Sequence, residues 1–351
     1  MQNQKLAVVI GARPQFIKHA PVEIAFKKFF NLVSIHTGQH YDKNMSDIFF
    51  EQLKIDEPNY LLNVGSGSHG VQTGIMMQKL EPIIENENPK GIVLYGDTNS
   101  TLAGALVGAK LNIPIIHIEA GLRSYNNMIP EEINRVVTDR VSSILFTPGM
   151  NAVENLAREN IVNGVHNVGD VMCDMIRIAR EMSIIKKLDS YESYYYATIH
   201  RPYNTDIKER IFDILRTFDE LDLPVIFSLH PRTRAKVGFF EGDLERYSNI
   251  SFVEPLPYFE NLQMISNAKA VVTDSGGIHK EAYLLQKQCV TIRSETEWTE
   301  TLHNGWNTLV FDDLRLVESS LNELPGDYKN DVYGDGKASE KMLEIVKASF
   351  S

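Results

Sequence analysis

Ser275-Gly276-Gly277 interrupts the apolar run Ala270-Val271-Val272-Thr273-Asp274, and the helix-forming stretch Ile278-His279-Lys280-Glu281 follows at once. A strand that breaks just before a helix aims free backbone N–H groups and the positive end of the helix dipole at one point, which suits an anionic phosphate. Small residues let the phosphate reach the backbone, and a carboxylate about one turn into the helix, here Glu281, can accept hydrogen bonds from ribose hydroxyls. The turn reads as a nucleotide-diphosphate site. The competing reading is an ordinary strand-to-helix turn of an α/β sheet.

Acids and bases recur at the other strand ends. Gly11-Ala12-Arg13-Pro14, Gly96-Asp97-Thr98-Asn99-Ser100, Glu119-Ala120-Gly121-Leu122-Arg123, His200-Arg201 and His230-Pro231-Arg232 each close an apolar run. In open α/β sheets ligands bind beyond the carboxyl ends of the strands, so two such edges facing one another predict a cleft lined with both charges. Taken singly, Asp97 caps the helix at residues 98–110 and Arg123 bonds a carbonyl; five strand ends of the same character weaken that reading. The first turn lacks Gly-x-Gly-x-x-Gly, so no nicotinamide cofactor is expected, and Arg13 and Lys18 supply positive charge to a phosphate or sugar. His117 and Glu119 share a strand face, with Asp97, His200 and His230 as conceivable neighbours. No His-Glu-x-x-His or similar spacing supports a metal site, and no metal is expected.

Short apolar runs alternating with longer amphipathic stretches must position these groups. Leu6-Ala7-Val8-Val9-Ile10, Ile92-Val93-Leu94-Tyr95 and Ile113-Pro114-Ile115-Ile116-His117-Ile118 read as strands buried on both faces of a parallel, doubly wound sheet. The pattern restarts after about residue 170 with Ala197-Thr198-Ile199-His200, Val225-Ile226-Phe227-Ser228-Leu229, Ile250-Ser251-Phe252-Val253 and Ala270-Val271-Val272-Thr273, predicting a second sheet of the same class. The fold class is therefore α/β, with two Rossmann-like domains over residues 1–169 and 170–337. Residues 338–351 form a helix packed back on the first domain, and Lys186-Lys187-Leu188-Asp189-Ser190 is the exposed connection. A chain of 351 residues, 43% hydrophobic, supports two such cores. The net charge of −11 disfavours nucleic acid and anionic membrane as partners. Two distant cysteines, Cys173 and Cys289, and the lack of a leading signal segment or a bilayer-length apolar run fit the cytoplasm.

Nine motifs taken in order carry a family resemblance: Gly11-Ala12-Arg13-Pro14-Gln15-Phe16-Ile17-Lys18, Thr37-Gly38-Gln39-His40, Gly96-Asp97-Thr98, Glu119-Ala120-Gly121-Leu122-Arg123, Pro130-Glu131-Glu132-Ile133-Asn134-Arg135, Thr198-Ile199-His200-Arg201, Thr273-Asp274-Ser275-Gly276-Gly277, Thr296-Glu297 and Tyr333-Gly334-Asp335-Gly336. Over nearly the whole chain they resemble the non-hydrolysing UDP-N-acetylglucosamine 2-epimerases. The resemblance implies a glycosyltransferase-B-like pair of domains, UDP in the cleft, no cofactor, a homodimer, and inversion at C2 by elimination of UDP to a 2-acetamidoglucal and re-addition. It implies Asp97, Glu119 and Glu131 as acid/base groups. Arg13, Arg135, His200 and the Ser275-Gly276-Gly277 amides would stabilise the departing diphosphate, with Glu281 on ribose and Tyr258 or Phe259 on uracil.

Departures narrow the match. His200-Arg201-Pro202-Tyr203-Asn204 stands where the family has His-Arg-x-Glu-Asn, and Thr296-Glu297-Trp298-Thr299-Glu300 where it has Thr-Glu-Arg-Pro-Glu. With Gly305-Trp306-Asn307, His40-Tyr41-Asp42 and His230-Pro231-Arg232-Thr233-Arg234, these look like the subgroup acting on UDP-2,3-diacetamido-2,3-dideoxy-glucuronate. Arg232 and Arg234 would then grip the C6 carboxylate, unless they lie on the solvated surface or bind phosphate. Val71 and Asp42 replace side chains wanted by the regulatory site that some relatives have near Gln39 and Gln72, so that regulation is not expected. A glycosyltransferase of the same fold, or a non-catalytic UDP-sugar sensor, explains the UDP site but gives the acidic cluster no task.

Overall fold

The computed structural model describes residues 4–38, 55–186, 193–237 and 246–350, with Arg13 described by its backbone alone. Gln39, His40, Tyr41, Asp42 and residues 187–190 of the expected connection lie outside the described residues. The chain divides into two compact units, Met1–Ile178 with Asn330–Ser351, and Ala179–Lys329.

In the first unit, β1 (Lys5–Ile10), β2 (Asn31–His36), β3 (Tyr60–Leu61), β4 (Gly91–Tyr95), β5 (Ile115–Ile118), β6 (Ile144–Thr147) and β7 (Val165–Asn167) form one sheet in the order β3-β2-β1-β4-β5-β6-β7. Every pairing is parallel, as near-continuous β-branched runs demand when helices cover both faces. Ala7, Val9, Ile92 and Leu94 pack on Met76, Leu80 and Ile84 of the helix His69–Glu87. Full burial of each such side chain is worth about 1.5–3 kcal/mol. The helix Asn99–Lys110 approaches so closely that a Cβ on Gly104 would lie 2.6 Å from Leu94 Cδ2, which is why a glycine stands there.

The second unit repeats the plan with β8 (Tyr195–Thr198), β9 (Val225–Ser228), β10 (Ile250–Val253), β11 (Ala270–Thr273), β12 (Gln288–Thr291) and β13 (Asn307–Leu309), in the order β10-β9-β8-β11-β12-β13 and again parallel throughout. Its core sets Ala197, Phe227, Val272 and Val290 against Phe212, Leu215 and Phe218. In both sheets the strand order reverses beside the first strand, between β1 and β4 and between β8 and β11. Ligands of doubly wound sheets collect at the carboxyl ends of the strands on either side of such a reversal. Arg13 and Asp97 follow the first pair, and His200 and Ser275 the second.

The fold class follows the sequence pattern, but β2, β3, β6, β7, β12 and β13 are additional to it. Residues 170–178 and 330–337 pack in the first unit, whereas the periodicity groups them with the second. The cause is Asp174, fully buried, whose carboxylate accepts from Ala338 N at 2.9 Å, Ser339 N at 2.8 Å and Ser339 Oγ at 2.6 Å, tying the helix Val171–Glu181 to the start of the helix Ala338–Ser349. Gln4 Nε2 reaches Phe350 O at 2.7 Å, which fastens the end of that last helix beside β1. Among the described residues no helix is long and apolar enough to cross a membrane.

Candidate active site

At the carboxyl ends of β1, β4 and β5, Gln15 acts as a rivet. Its Oε1 accepts from Gly11 N at 2.7 Å and Ala12 N at 3.1 Å, while Nε2 donates to Tyr95 O at 2.8 Å and to Thr98 Oγ1 and Thr101 Oγ1 at 3.0 Å. One turn later Lys18 Nζ pairs with Glu119 Oε2. Glu119 has φ +71°, a left-handed conformation that costs an L-residue about 1–2 kcal/mol, and the carboxylate is buried. Strain in a buried charged residue marks a position held for its side chain.

Asp97 follows Gly96, itself at φ +60°. Its Oδ2 accepts from Arg135 Nη2 at 2.5 Å, and Asn134 Nδ2 donates to its backbone carbonyl at 2.8 Å. The cap of the helix Asn99–Lys110 is Thr98, whose side chain accepts from Thr101 N, so Asp97 is not engaged as that cap. Burial pushes the Asp97 carboxyl above the usual carboxylate range and Glu119 adds to it, while Arg135 and Lys18 pull against the shift. Because 29% of the side chain stays open, solvent moderates the effect. A carboxyl group whose pKa is raised by burial, standing beside a second, lysine-paired carboxyl group, is a pairing suited to proton exchange.

Arg135 sits on the helix Pro130–Val141 and bridges Asp97 to Glu132, whose Oε2 accepts from Arg135 Nη1 at 3.0 Å. Glu132 is buried and also takes Ser124 N and Tyr125 N at 2.9 Å, fixing the loop before the helix. Glu131, one position earlier, is exposed, because neighbours on a helix point about 100° apart. Two ion pairs, Lys18–Glu119 and Arg135–Asp97, thus stand at adjoining strand ends, near enough for the charges of Glu119 and Lys18 to act on Asp97. Glu131 stands outside that set.

His117, which the strand pattern offered as a metal neighbour, is fully buried between Asp139 Oδ1 at 2.7 Å and Gly96 O at 2.8 Å. Arg123 pairs with Asp139 Oδ2 and Glu159 Oε1 at 2.7 Å each and gives Leu122 O a further bond, as the structural reading of that arginine expected. Burial pushes the Asp139 carboxyl up, but His117 and Arg123 outweigh it and hold it below its ordinary range. Such a depressed carboxylate contributes stability that is complete above the unfolded-state pKa, about 4, and is lost as pH falls through the folded value. Asp139→Ala is expected to cost about 3–5 kcal/mol at neutral pH, since it strands two buried partners, and less in acid; urea melts at both pH values check this.

In the second unit Asp274, fully buried, organises the strand end. It accepts from His200 N at 2.9 Å, Arg201 N at 2.8 Å and Asn204 Nδ2 at 3.0 Å, with His200 Nδ1 at 3.2 Å. Burial raises its pKa, and the bonds from His200 and Asn204 more than reverse the shift. Asn204, the asparagine that this chain keeps from the family pattern, also reaches Ile292 O, while Tyr203 stands in the place of the glutamate. Ser275 caps the helix Gly276–Leu284 by accepting from Ile278 N. A Cβ on Gly276 would meet Glu297 Oε1 at 2.6 Å, Gly277 is exposed, and Glu281 is buried one turn on.

The His230 ring lies 5.0 Å from that of His200, and its Nδ1 accepts from Arg232 N at 3.2 Å. Arg232 is 42% exposed and pairs with Asp206 at 2.9 Å, and Arg234 pairs with Glu254. Both arginines therefore stand where the surface reading put them, in ion pairs of a kind typically worth about 0–1 kcal/mol. Phe259 is 3% exposed and packs on Tyr258 with ring centroids 5.4 Å apart, so neither presents an open face for stacking. Sequence reasoning gave no role to Gln15, Asn99, Asn134, Asp139, Asp274, Arg293 or His279. Only Asp274, fixed directly before the Ser-Gly-Gly turn, carried a local signal. Among the described residues no group of three or more His, Cys, Asp or Glu is gathered for a metal ion.

A family model described as UDP-N-acetylglucosamine 2-epimerase matches residues 23–347. The chain is 46% identical to a UDP-N-acetylglucosamine 2-epimerase homolog of Methanococcus maripaludis, over 98% of this chain and 99% of that protein. It is 43% identical to the UDP-2,3-diacetamido-2,3-dideoxy-D-glucuronate 2-epimerase of Pseudomonas aeruginosa, over 97% and 99%. The crystal structure of the Methanocaldococcus jannaschii UDP-GlcNAc 2-epimerase in complex with UDP-GlcNAc and UDP is similar with a TM-score of 0.89 and 39% identity, covering 98% of this chain and 100% of that one.

Proposed function

The chain belongs to the UDP-N-acetylglucosamine 2-epimerase family, and on that premise we propose that it inverts C2 of a UDP-linked 2-acetamido sugar by eliminating UDP and adding it back. The observation that carries this reading is the gathering of Asp97 and Glu119 with Arg135 and Lys18 at adjoining strand ends. The C2 hydrogen beside an acetamido carbon is barely acidic. One carboxylate removes it while the C1–O bond to UDP breaks, giving a 2-acetamidoglucal; a second acid then protonates C2 from the other face as UDP returns to C1. Asp97 and Glu119 take these parts, with Glu131 a third candidate.

UDP is held in the second unit by the Ser275-Gly276-Gly277 amides and the helix behind them, with Glu281 on ribose and His200 and His230 beside the diphosphate. Arg13, Lys18 and Arg135 supply positive charge against the negative charge that grows on the leaving diphosphate, the step at which preorganised donors help most. The working form is a cytoplasmic homodimer with no cofactor. A glycosyltransferase or a sugar-nucleotide sensor would leave Asp97 and Glu119 without work. Incubation with UDP-N-acetylglucosamine and with the diacetamido glucuronate, followed by NMR of C2, tests the proposal: a C2-inverted product is expected, and an unchanged sugar, or transfer to an acceptor, would refute it.

For the substrate, the 43% identity to the diacetamido glucuronate enzyme and the departures from the common family pattern at Tyr203 and Trp298 favour the uronate. It is expected to turn over with a kcat/KM about a hundredfold or more above that of UDP-N-acetylglucosamine, because a site built for a charge leaves its donors unpaired when the charge is absent. Equal rates would return the assignment to plain UDP-N-acetylglucosamine.

A further inference from the structure

Three polar side-chain atoms at one edge of the second sheet are buried without a hydrogen-bond partner among the described residues: Arg201 Nε, Arg293 Nη1 and His279 Nδ1. Arg201 follows β8, His279 lies in the helix behind β11, and Arg293 follows β12, strands that adjoin in that order. Arg293 is anchored at its other end, Nη2 giving Glu297 Oε2 a bond of 3.0 Å, and its side chain is only 11% exposed. The orphaned Nη1 lies 3.4 Å from where a Cβ on Gly276 would stand, directly against the Ser275-Gly276 turn. Arg201 is pinned by its backbone N–H to Asp274, and the field of both guanidinium groups reaches the phenol of Tyr203. His279 is fully buried, with Nε2 on Thr296 Oγ1 at 3.0 Å. Burial holds its pKa down at about 3, so the imidazole stays neutral at working pH.

Buried donors without acceptors are rare because each forfeits its bond to water, and charged ones forfeit most. The nearest carboxylates are already committed: Asp274 accepts from four groups, and Glu297 holds Arg293. Two permanent cations with orphaned N–H groups, following neighbouring strands of the edge where the Ser275-Gly276 turn opens its helix, match an oxyanion. We infer that Arg201 Nε and Arg293 Nη1 bind an oxyanion of the sugar nucleotide at the Ser275-Gly276 turn, with His279 Nδ1 beside them. This rests on the reading of the second unit as the nucleotide site. The oxyanion is either the diphosphate or the C6 carboxylate of a uronate, and Arg293, held by Glu297, and Arg201, tied through its backbone to Asp274, are half-buried beside the turn as the exposed Arg232 and Arg234 are not.

Calorimetric titration of the wild-type chain and of Arg201→Gln, Arg293→Gln and Arg293→Lys with uridine, UDP, UDP-glucose and UDP-glucuronate separates the sources. Wild-type protein that does not bind UDP would refute the nucleotide site itself, ahead of any question about the arginines. Given that binding, each glutamine variant is expected to lose about tenfold to a hundredfold in UDP affinity while uridine binds within twofold of wild type, and Arg293→Lys to lose less than Arg293→Gln. That pattern assigns the diphosphate. Unchanged UDP affinity with loss of the preference for UDP-glucuronate over UDP-glucose assigns the carboxylate. Wild-type affinity for all four ligands in both glutamine variants overturns the inference. So does a fall in uridine binding as large as the fall for UDP, which would mark a structural role alone.

Discussion

Asp97→Asn and Glu119→Gln are each expected to lower kcat by about a hundredfold or more, some 2.7 kcal/mol of transition-state stabilisation, while the dissociation constant for UDP stays within about threefold. The amides keep the size of the carboxyl groups but can neither take nor return the C2 proton. UDP is spared because, in the proposed arrangement, its backbone donors sit on the second unit around Ser275 and Asp274, and the substitutions leave Arg13, Lys18 and Arg135 in the chain. The pH profile adds a sign. Burial raises the Asp97 pKa and Arg135 opposes the rise, so the acidic limb of kcat/KM belongs above the ordinary carboxylate range. Arg135→Gln removes a cation and is expected to move that limb to still higher pH. Steady-state rates across pH, with UDP titrations on the same variants, check both statements. Normal turnover in both carboxylate variants would remove these residues from the chemistry.

The parts of this site visible in the sequence are those where strand and helix signals meet. Gly96-Asp97 and Ser275-Gly276-Gly277 each end an apolar run and open a helix, so local pattern alone places them at a sheet edge, and the structure has them there. What the pattern lacks is phase and distance. Glu131 and Glu132 are equivalent in the motif; only the burial of one helix face distinguishes them, turning Glu132 inward to Arg135 and Glu131 outward. Arg232 and Arg234 look available in a Pro-Arg-Thr-Arg string because their partners, Asp206 and Glu254, are 26 and 20 residues away. The same blindness moves the unit crossings: Asp174 caps a helix 164 residues further on, and no local signal announces it. Strands as short as Asn307–Leu309 exist because a neighbour pairs with them, not because three residues prefer extension.

Turnover in D2O is expected to place one deuterium at C2 of essentially every product molecule, and with time at C2 of the recovered substrate. A carboxyl that has taken the C2 hydrogen trades it with solvent, and the hydrogen returned to the opposite face comes from the other group, which carries a solvent deuteron already. Asp97 keeps 29% of its side chain open to solvent, so at least this group is free to exchange. The bonding accounts balance: C2–H and C1–O break, a C1–C2 double bond forms, and re-addition restores both bonds with inversion at C2. Free UDP and the glycal should therefore appear in small amounts during the reaction. Asp97→Asn and Glu119→Gln should slow deuterium entry along with inversion, or uncouple them if one group exchanges C2 of the substrate alone. Inversion with the original C2 hydrogen retained would contradict elimination and call for transfer of that hydrogen as hydride, a route needing a redox acceptor. The first strand-to-helix turn, Gly11-Ala12-Arg13-Pro14, has none of the glycine spacing that binds a dinucleotide. Mass spectrometry of the product after a single turnover decides between the two.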